Sequence, residues 1–485
     1  MKKELNNYLP YLSLLAVASW FFRLLLKNSV NLFFFDQIDL VQQFLLKEKS
    51  FFTLFFFQYG PHRQGISFVI WDCLNSVFGY HAFIPVFISF VAVFLATLIA
   101  LLLVKEIRGE NKISDFIIPV IFLSLRSNES FFATANPSHG PFSLFLLLLF
   151  CLFFMKFTRL RRSGKMPKIK SRKFMRWRVK DIKLNLAMLT KKQIKLLLAW
   201  GRKHKLTFLY FFTCLLIFLL SFSGFGFVAL LPLAIIGLLI LGTAYFKKRK
   251  RIDKKAILIL MAVLISSLLF FYQYSYQPAV DCFDPYLINI VDHLKFMTLM
   301  ISFFMGSTEI NNFSLVLGTL GFIVLIINQL ITLSKISKVK RQIDKYHWYL
   351  IFLLNSFTLI FISLTAYGRT CLGLEAAFAS RYSLYLIPGF LAVYFTLIKF
   401  FNRKNKMSKV LIVIFVLSAI LFEINGRRFW QLSMYYWRDT KNSYLKCFNT
   451  DFSNIEFCEK KVNQLFYHDG KNVVREVLEH TLNSE

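Results

Sequence analysis

Acidic residues are scarce in this chain, and so is charge of any kind. Asp and Glu number 26 in 485 residues, and charged residues together make up 18%. Hydrophobic residues account for 56%. No soluble core needs that much apolar surface, and disorder is excluded for the same reason. Proline is also rare, at 11 residues. Seven Cys are too few and too scattered for a disulfide framework. Cys151 and Cys214 lie inside apolar runs, where a thiol simply packs. Cys447 and Cys458 either form a bridge in an oxidising compartment or remain two thiols. The chain shows no metal-ligand spacing, no P-loop and no dinucleotide fingerprint, so no metal and no cofactor is expected.

What is abundant is phenylalanine, with 59 residues, and long apolar runs. Runs at 8–26, 82–104, 113–125, 141–157, 206–221, 228–245, 256–275, 312–332, 347–367, 383–398 and 410–424 predict about eleven transmembrane helices. The fold class expected is therefore an all-α polytopic membrane protein. Ala16-Val17-Ala18 resembles a signal-peptidase site, but apolar sequence continues through Phe22 and favours an uncleaved first span.

The formal net charge of +33 is explained by topology. With Lys2 and Lys3 cytoplasmic, segments 1–7, 105–115, 156–205, 246–255, 333–345 and 399–409 fall inside. They hold 41 of the 59 Lys and Arg but 7 of the 26 Asp and Glu. That asymmetry is the positive-inside rule and predicts an N-in, C-out orientation. Basic loops then face anionic membrane lipids. Nucleic acid is not an expected partner, because the basic residues are not interleaved with any recognisable binding fold.

Four regions follow. Residues 1–155 form an N-terminal transmembrane module with a first exterior loop at 27–81, and 156–205 is a basic cytoplasmic insertion. Residues 206–424 carry the remaining helices, and 425–485 form a small exterior C-terminal tail. Within the first exterior loop, Ile38, Val41 and Leu45 share one helical face while Asp36, Asp39 and Gln43 share the other. That pattern, and a second one over 66–78, predict interfacial helices lying on the membrane.

The candidate site residues are exterior and sit at span ends or on these surface helices. Asp36 fits a helix N-cap and a general base equally well. Asp39, one turn on, completes the candidate catalytic pair, its plain alternative being a solvated face. His62 and Arg63 form a cationic pair in the turn Tyr59-Gly60-Pro61-His62-Arg63, suited to lipid headgroup contact or to binding a donor phosphate. Arg369 and Arg381 bracket a late exterior loop and are flanked by Tyr367 and Tyr382. Each alone reads as an interfacial anchor; two in one exterior loop favour an anionic ligand. Glu129, His139, Tyr59 and Tyr382 are candidate cavity-lining residues.

An acidic residue opening the first exterior loop, surface helices within that loop and about eleven spans resemble the GT-C glycosyltransferases. Within that superfamily the likeness is to bacterial aminoarabinose- and mannosyl-transferase-like proteins. It rests on Tyr59 to Arg63, on Asn136-Pro137-Ser138-His139-Gly140 and on Ser380-Arg381-Tyr382. The resemblance covers the first four runs and the region 367–395, and not the basic insertion or the tail. It implies a polyprenyl-phosphate-linked sugar donor, a lipid or glycan acceptor and inverting transfer on the exterior face of the bacterial inner membrane. Many members carry adjacent acidic residues at the first site, whereas Gln37 follows Asp36 here, which implies metal-independent chemistry. The rival expectations are a surface-polysaccharide polymerase or ligase, and a lipid-linked-sugar transporter or flippase without catalysis.

Overall fold

The computed structural model describes residues 2–34, 37–38, 40–41, 50–133, 135–160, 205–246, 254–275, 289–339, 341–400 and 406–450. Asp36, Asp39, Cys458, most of the basic insertion and the chain from 451 onward lie outside these residues. Ten of the eleven apolar runs fall on helices. These are α1 (Lys2–Asn28), α4 (Phe83–Arg108), α6 (Pro141–Leu160), α7 (Lys205–Ser221), α8 (Leu230–Phe246) and α9 (Lys254–Phe271). The later ones are α11 (Asn312–Lys338), α12 (Gln342–Arg369), α13 (Ser383–Phe400) and α14 (Lys406–Thr450). The segments between these helices add α2 (Phe51–Phe55), α3 (Gly65–Phe78) and α10 (Ile290–Phe304).

Among the described residues, seven helical segments are long and apolar enough to cross a membrane, and four shorter apolar helices accompany them. The protein is an all-α membrane protein. Its outward faces confirm the solvent they are built for: Val316, Leu320, Ile323, Ile327 and Leu330 on α11 are all exposed. A soluble helix would bury such a stripe. The α3 helix covers the second stretch expected to be helical, and of the first, Gln37, Ile38, Leu40 and Val41 are helical and buried.

Between helices that face lipid, close contact must come from small residues and satisfied polar groups, because lipid is as apolar as leucine. Both devices are present. A Cβ at Gly318 would stand 1.9 Å from the Thr298 carbonyl oxygen, so α10 and α11 touch backbone to backbone. On the other side of α11, Asn355 of α12 donates to Leu325 O at 3.0 Å and Gln329 Oε1 at 2.7 Å, and it accepts from Asn328 at 3.1 Å.

The run at 113–125 does not form the single span that hydropathy predicts. It breaks into a 3-10 turn (Ile113–Phe116), a six-residue helix α5 (Ile117–Phe122) and a 3-10 turn (Leu125–Ser127), and a π-helical turn (Glu129–Ala133) follows. Six helical residues rise only about 9 Å, far short of a hydrocarbon core of about 30 Å. Buried polar residues fix the breaks. Asp115 accepts from Lys112 N at 2.7 Å, from the Tyr394 hydroxyl at 2.5 Å and from Arg108. Arg126 is 1% exposed and donates to Phe304 O at 2.6 Å and to Glu423 at 2.5 Å, with the Phe304 and Trp430 rings over its guanidinium.

The boundary expected at 424/425 falls inside a continuous helix. α14 runs on beyond it and packs Trp430, Met434 and Tyr444 inward, each 1% exposed or less. It lies along α1: Arg427 stacks on Trp20, and Arg438 donates to Asn28 Oδ1 at 3.2 Å.

Candidate functional site

The site is assembled where the loop between α1 and α4 meets the starts of α6 and α13. A two-residue hairpin, β1 (Gln58–Tyr59) and β2 (His62–Arg63), turns at Gly60 and Pro61. Side chains on adjacent strand positions point to opposite faces, and that alternation separates His62 from Arg63.

His62 points inward. It is 4% exposed, its Nε2 lies 2.8 Å from His139 Nε2, and its ring packs on Phe225 at 4.9 Å. One of the two Nε2 atoms must carry the hydrogen and the other must accept it, so the imidazoles share a single proton. His139 is held by the turn before α6. Ser138 N donates to Asn136 Oδ1 at 3.0 Å, and Ser138 Oγ donates to Gln64 O at 2.9 Å. Across the contact, Gly224 has φ +54°, and a Cβ there would stand 2.2 Å from Ser138 O. Glycine at 224 therefore lets the α7–α8 loop close on this turn.

Arg63 points away. Its guanidinium donates to Phe270 O at 2.7 Å and to the carbonyls of Phe56 and Tyr272, and its own carbonyl accepts from Gly224 N at 3.0 Å. It is 2% exposed. The cationic pair read from adjacency is thus split: Arg63 ties the hairpin to the end of α9, and His62 serves the site.

Arg381 reaches the same region from the short turn that opens α13. Its Nη1 donates to Glu129 Oε1 at 2.9 Å, and the Glu129 N–H donates to Ser380 Oγ at 2.8 Å. Arg381 also stacks on Tyr382, which is itself buried against Phe361. Arg369, at the end of α12, brings a second positive charge within electrostatic reach of His139. The structure therefore groups His62, His139, Glu129, Arg369, Arg381 and Tyr382. Tyr59 pairs with His62 across the hairpin, while Asp36 and Asp39 lie outside the described residues. Gln37, next in sequence to Asp36, is fully buried and donates to Ala135 O at 3.0 Å.

Sequence reasoning missed Phe225, Gln64 and Tyr385, whose hydroxyl donates to Ser138 O at 3.3 Å. In the sequence, Gly224-Phe225-Gly226 is only a weak hint of the repeats or broken helices of a transporter, and a buried glutamine carries no pattern.

Burial lowers the His139 pKa to about 3, with the Arg381 and Arg369 charges adding to the effect. The folded pKa therefore lies below the unfolded value of about 6.5. Between those limits the unfolded chain binds the extra proton, so this residue's contribution to stability is present above about pH 6.5 and is lost as pH falls toward 3. Thermal unfolding midpoints followed from about pH 7 to pH 4 should fall less steeply for His139→Gln than for wild type. Superimposable profiles would assign the acid sensitivity elsewhere.

Two cysteines on this face, Cys371 in the turn after α12 and Cys447 near the end of α14, are disulfide-bonded, while Cys73, Cys151 and Cys214 are free. Among the described residues, no group of three or more His, Cys, Asp or Glu is placed to hold a metal ion. What fold and site define is an all-α membrane protein with a cationic, histidine-containing cluster beneath the loop that joins α1 to α4. Comparisons with family models, curated proteins and solved structures gave no match.

Proposed function

We propose that the chain is a GT-C-type inverting glycosyltransferase, moving a sugar from a polyprenyl-phosphate donor to a lipid or glycan acceptor on the exterior face of the bacterial inner membrane. The observation that carries this reading is the grouping of Arg369 and Arg381 with the neutral His139. Disulfide-bonded Cys371 stands in the same loop as both arginines, which supports an oxidising, exterior compartment for this face. An N-in, C-out orientation follows from the same side.

In the proposed step the acceptor oxygen attacks the anomeric carbon while its proton passes to the Asp36 carboxylate. The bond from that carbon to the donor phosphate oxygen breaks, and its electron pair leaves with the polyprenyl phosphate. Negative charge grows on the phosphate as the bond lengthens, so fixed guanidinium groups stabilise the transition state more than the ground state. Glu129 sets the plane of Arg381 through its ion pair. The paired imidazoles offer one donor-acceptor contact for sugar hydroxyls or phosphate oxygens without adding charge.

Arg381→Ala should weaken binding of polyprenyl-phosphate sugar by about ten- to a hundredfold, the value of one charge-assisted contact of roughly 1.5–3 kcal/mol. Binding in detergent, measured with radiolabelled donor, checks this. Unchanged affinity would make Arg381 a membrane anchor. The broken segment at 113–133 favours a second reading, a lipid-linked-sugar flippase, because interrupted helices are a transporter feature. Transfer of label to acceptor by purified protein in one leaflet separates the two.

A further inference from the structure

A second cationic position lies apart from the histidine cluster, on the outer stretch of α14. Lys441 is 4% exposed. Its ammonium lies 5.8 Å from the centre of the Phe34 ring, and it makes no hydrogen bond or ion pair with any described residue. Two other cations on this stretch do have partners. Arg438 pairs with Asp439 and donates to Asn28, and Arg427 stacks on Trp20.

Lys441 sits inside an aromatic collar. Trp437 and Tyr444, a turn before and a turn after it, both pack edge-on against Phe34, at 6.3 Å and 5.7 Å. A ring face replaces only part of the hydration that an ammonium loses on burial. A buried ammonium without a partner either sheds its proton or takes up an anion, and only the second keeps the charge.

The depth of the position narrows the anion. Asn28 ends α1 and bonds Arg438, and Lys441 lies three residues further out, about 4.5 Å along the helix. With the 22-residue span Asn7–Asn28 taken to cross the hydrocarbon core, Lys441 falls at its rim, where membrane phosphates reside, and a lysine binds phosphate as a compact point charge. We propose that Lys441, with Phe34, Trp437 and Tyr444 around it, forms a binding site for a phosphate group at the outer membrane surface. The site is separate from the arginine cluster and does not depend on the glycosyl-transfer reading.

The test uses the full-length protein in neutral detergent and compares wild type, Lys441→Met, Lys441→Arg and Arg381→Ala. Thermal midpoints are measured against three probes: inorganic phosphate, short-chain phosphatidylglycerol and a short-chain polyprenyl monophosphate. Wild type, Lys441→Arg and Arg381→Ala should respond to at least one probe, and Lys441→Met should need at least tenfold more of it. Without probe, Lys441→Met should melt at or above the wild-type midpoint, since it removes a charge and keeps the apolar bulk. A response to phosphatidylglycerol alone identifies a bilayer lipid, to the polyprenyl compound alone an isoprenoid carrier, and to inorganic phosphate a soluble ligand. An equal response in Lys441→Met, no response in wild type, or a lowered midpoint in Lys441→Met without probe each overturns the proposal.

Discussion

If the proposed transfer reaction holds, replacing Asp36 with Asn should lower sugar transfer by roughly a hundred- to ten-thousandfold, the range general-base catalysis supplies, while donor affinity stays near the wild-type value. The substitution removes one proton acceptor and almost no volume, so the loss falls on the chemical step. The neighbouring chain argues that the variant will fold: Phe34 N donates to Gln37 Oε1 at 3.1 Å, and Gln37 anchors on Ala135 O, so the flanks are held without Asp36. The measurement is transfer of label from a polyprenyl-phosphate sugar in proteoliposomes, with donor binding followed in parallel. Transfer at the wild-type rate would remove Asp36 from the mechanism. Joint loss of binding and transfer would place it in donor recognition instead.

The largest stability effect is expected far from that carboxylate. Glu423→Ala leaves Arg126 buried at 1% exposure with its carboxylate partner gone. Breaking a buried pair in this way costs about 3–5 kcal/mol, because the remaining charge stays desolvated. Arg126→Met combined with Glu423→Leu should recover most of the loss, since both charges are then gone and the Phe304 and Trp430 rings still have a side chain to pack on. Unfolding monitored by tryptophan fluorescence across the four proteins distinguishes the outcomes. A Glu423→Ala midpoint equal to wild type would show that the pair contributes nothing.

Hydropathy made most of the helices legible, because a run that must face lipid can hardly be written otherwise. It failed where side chains, rather than average polarity, decide the backbone. In 113–125 the apolar average is high, yet Asp115 and Arg126 each draw partners from distant helices and break the run into turns. Past Ile424 the average polarity rises, and the continuing helix is visible only in the spacing of Trp430, Met434, Trp437 and Tyr444. The site was partly legible: Arg381, Glu129 and His139 come from separate polar loops that the structure joins. Arg63 was misleading because chain neighbours on a strand diverge, which adjacency alone hides.

The bond from Arg126 to Glu423 spans 297 positions. A ribosome feeding this chain into the bilayer releases the arginine long before its carboxylate has been made. Until α14 arrives, the broken segment carries an unanswered charge, and quality-control proteases have a marker of incompleteness to act on. Assembly of this segment is thus gated by the arrival of α14.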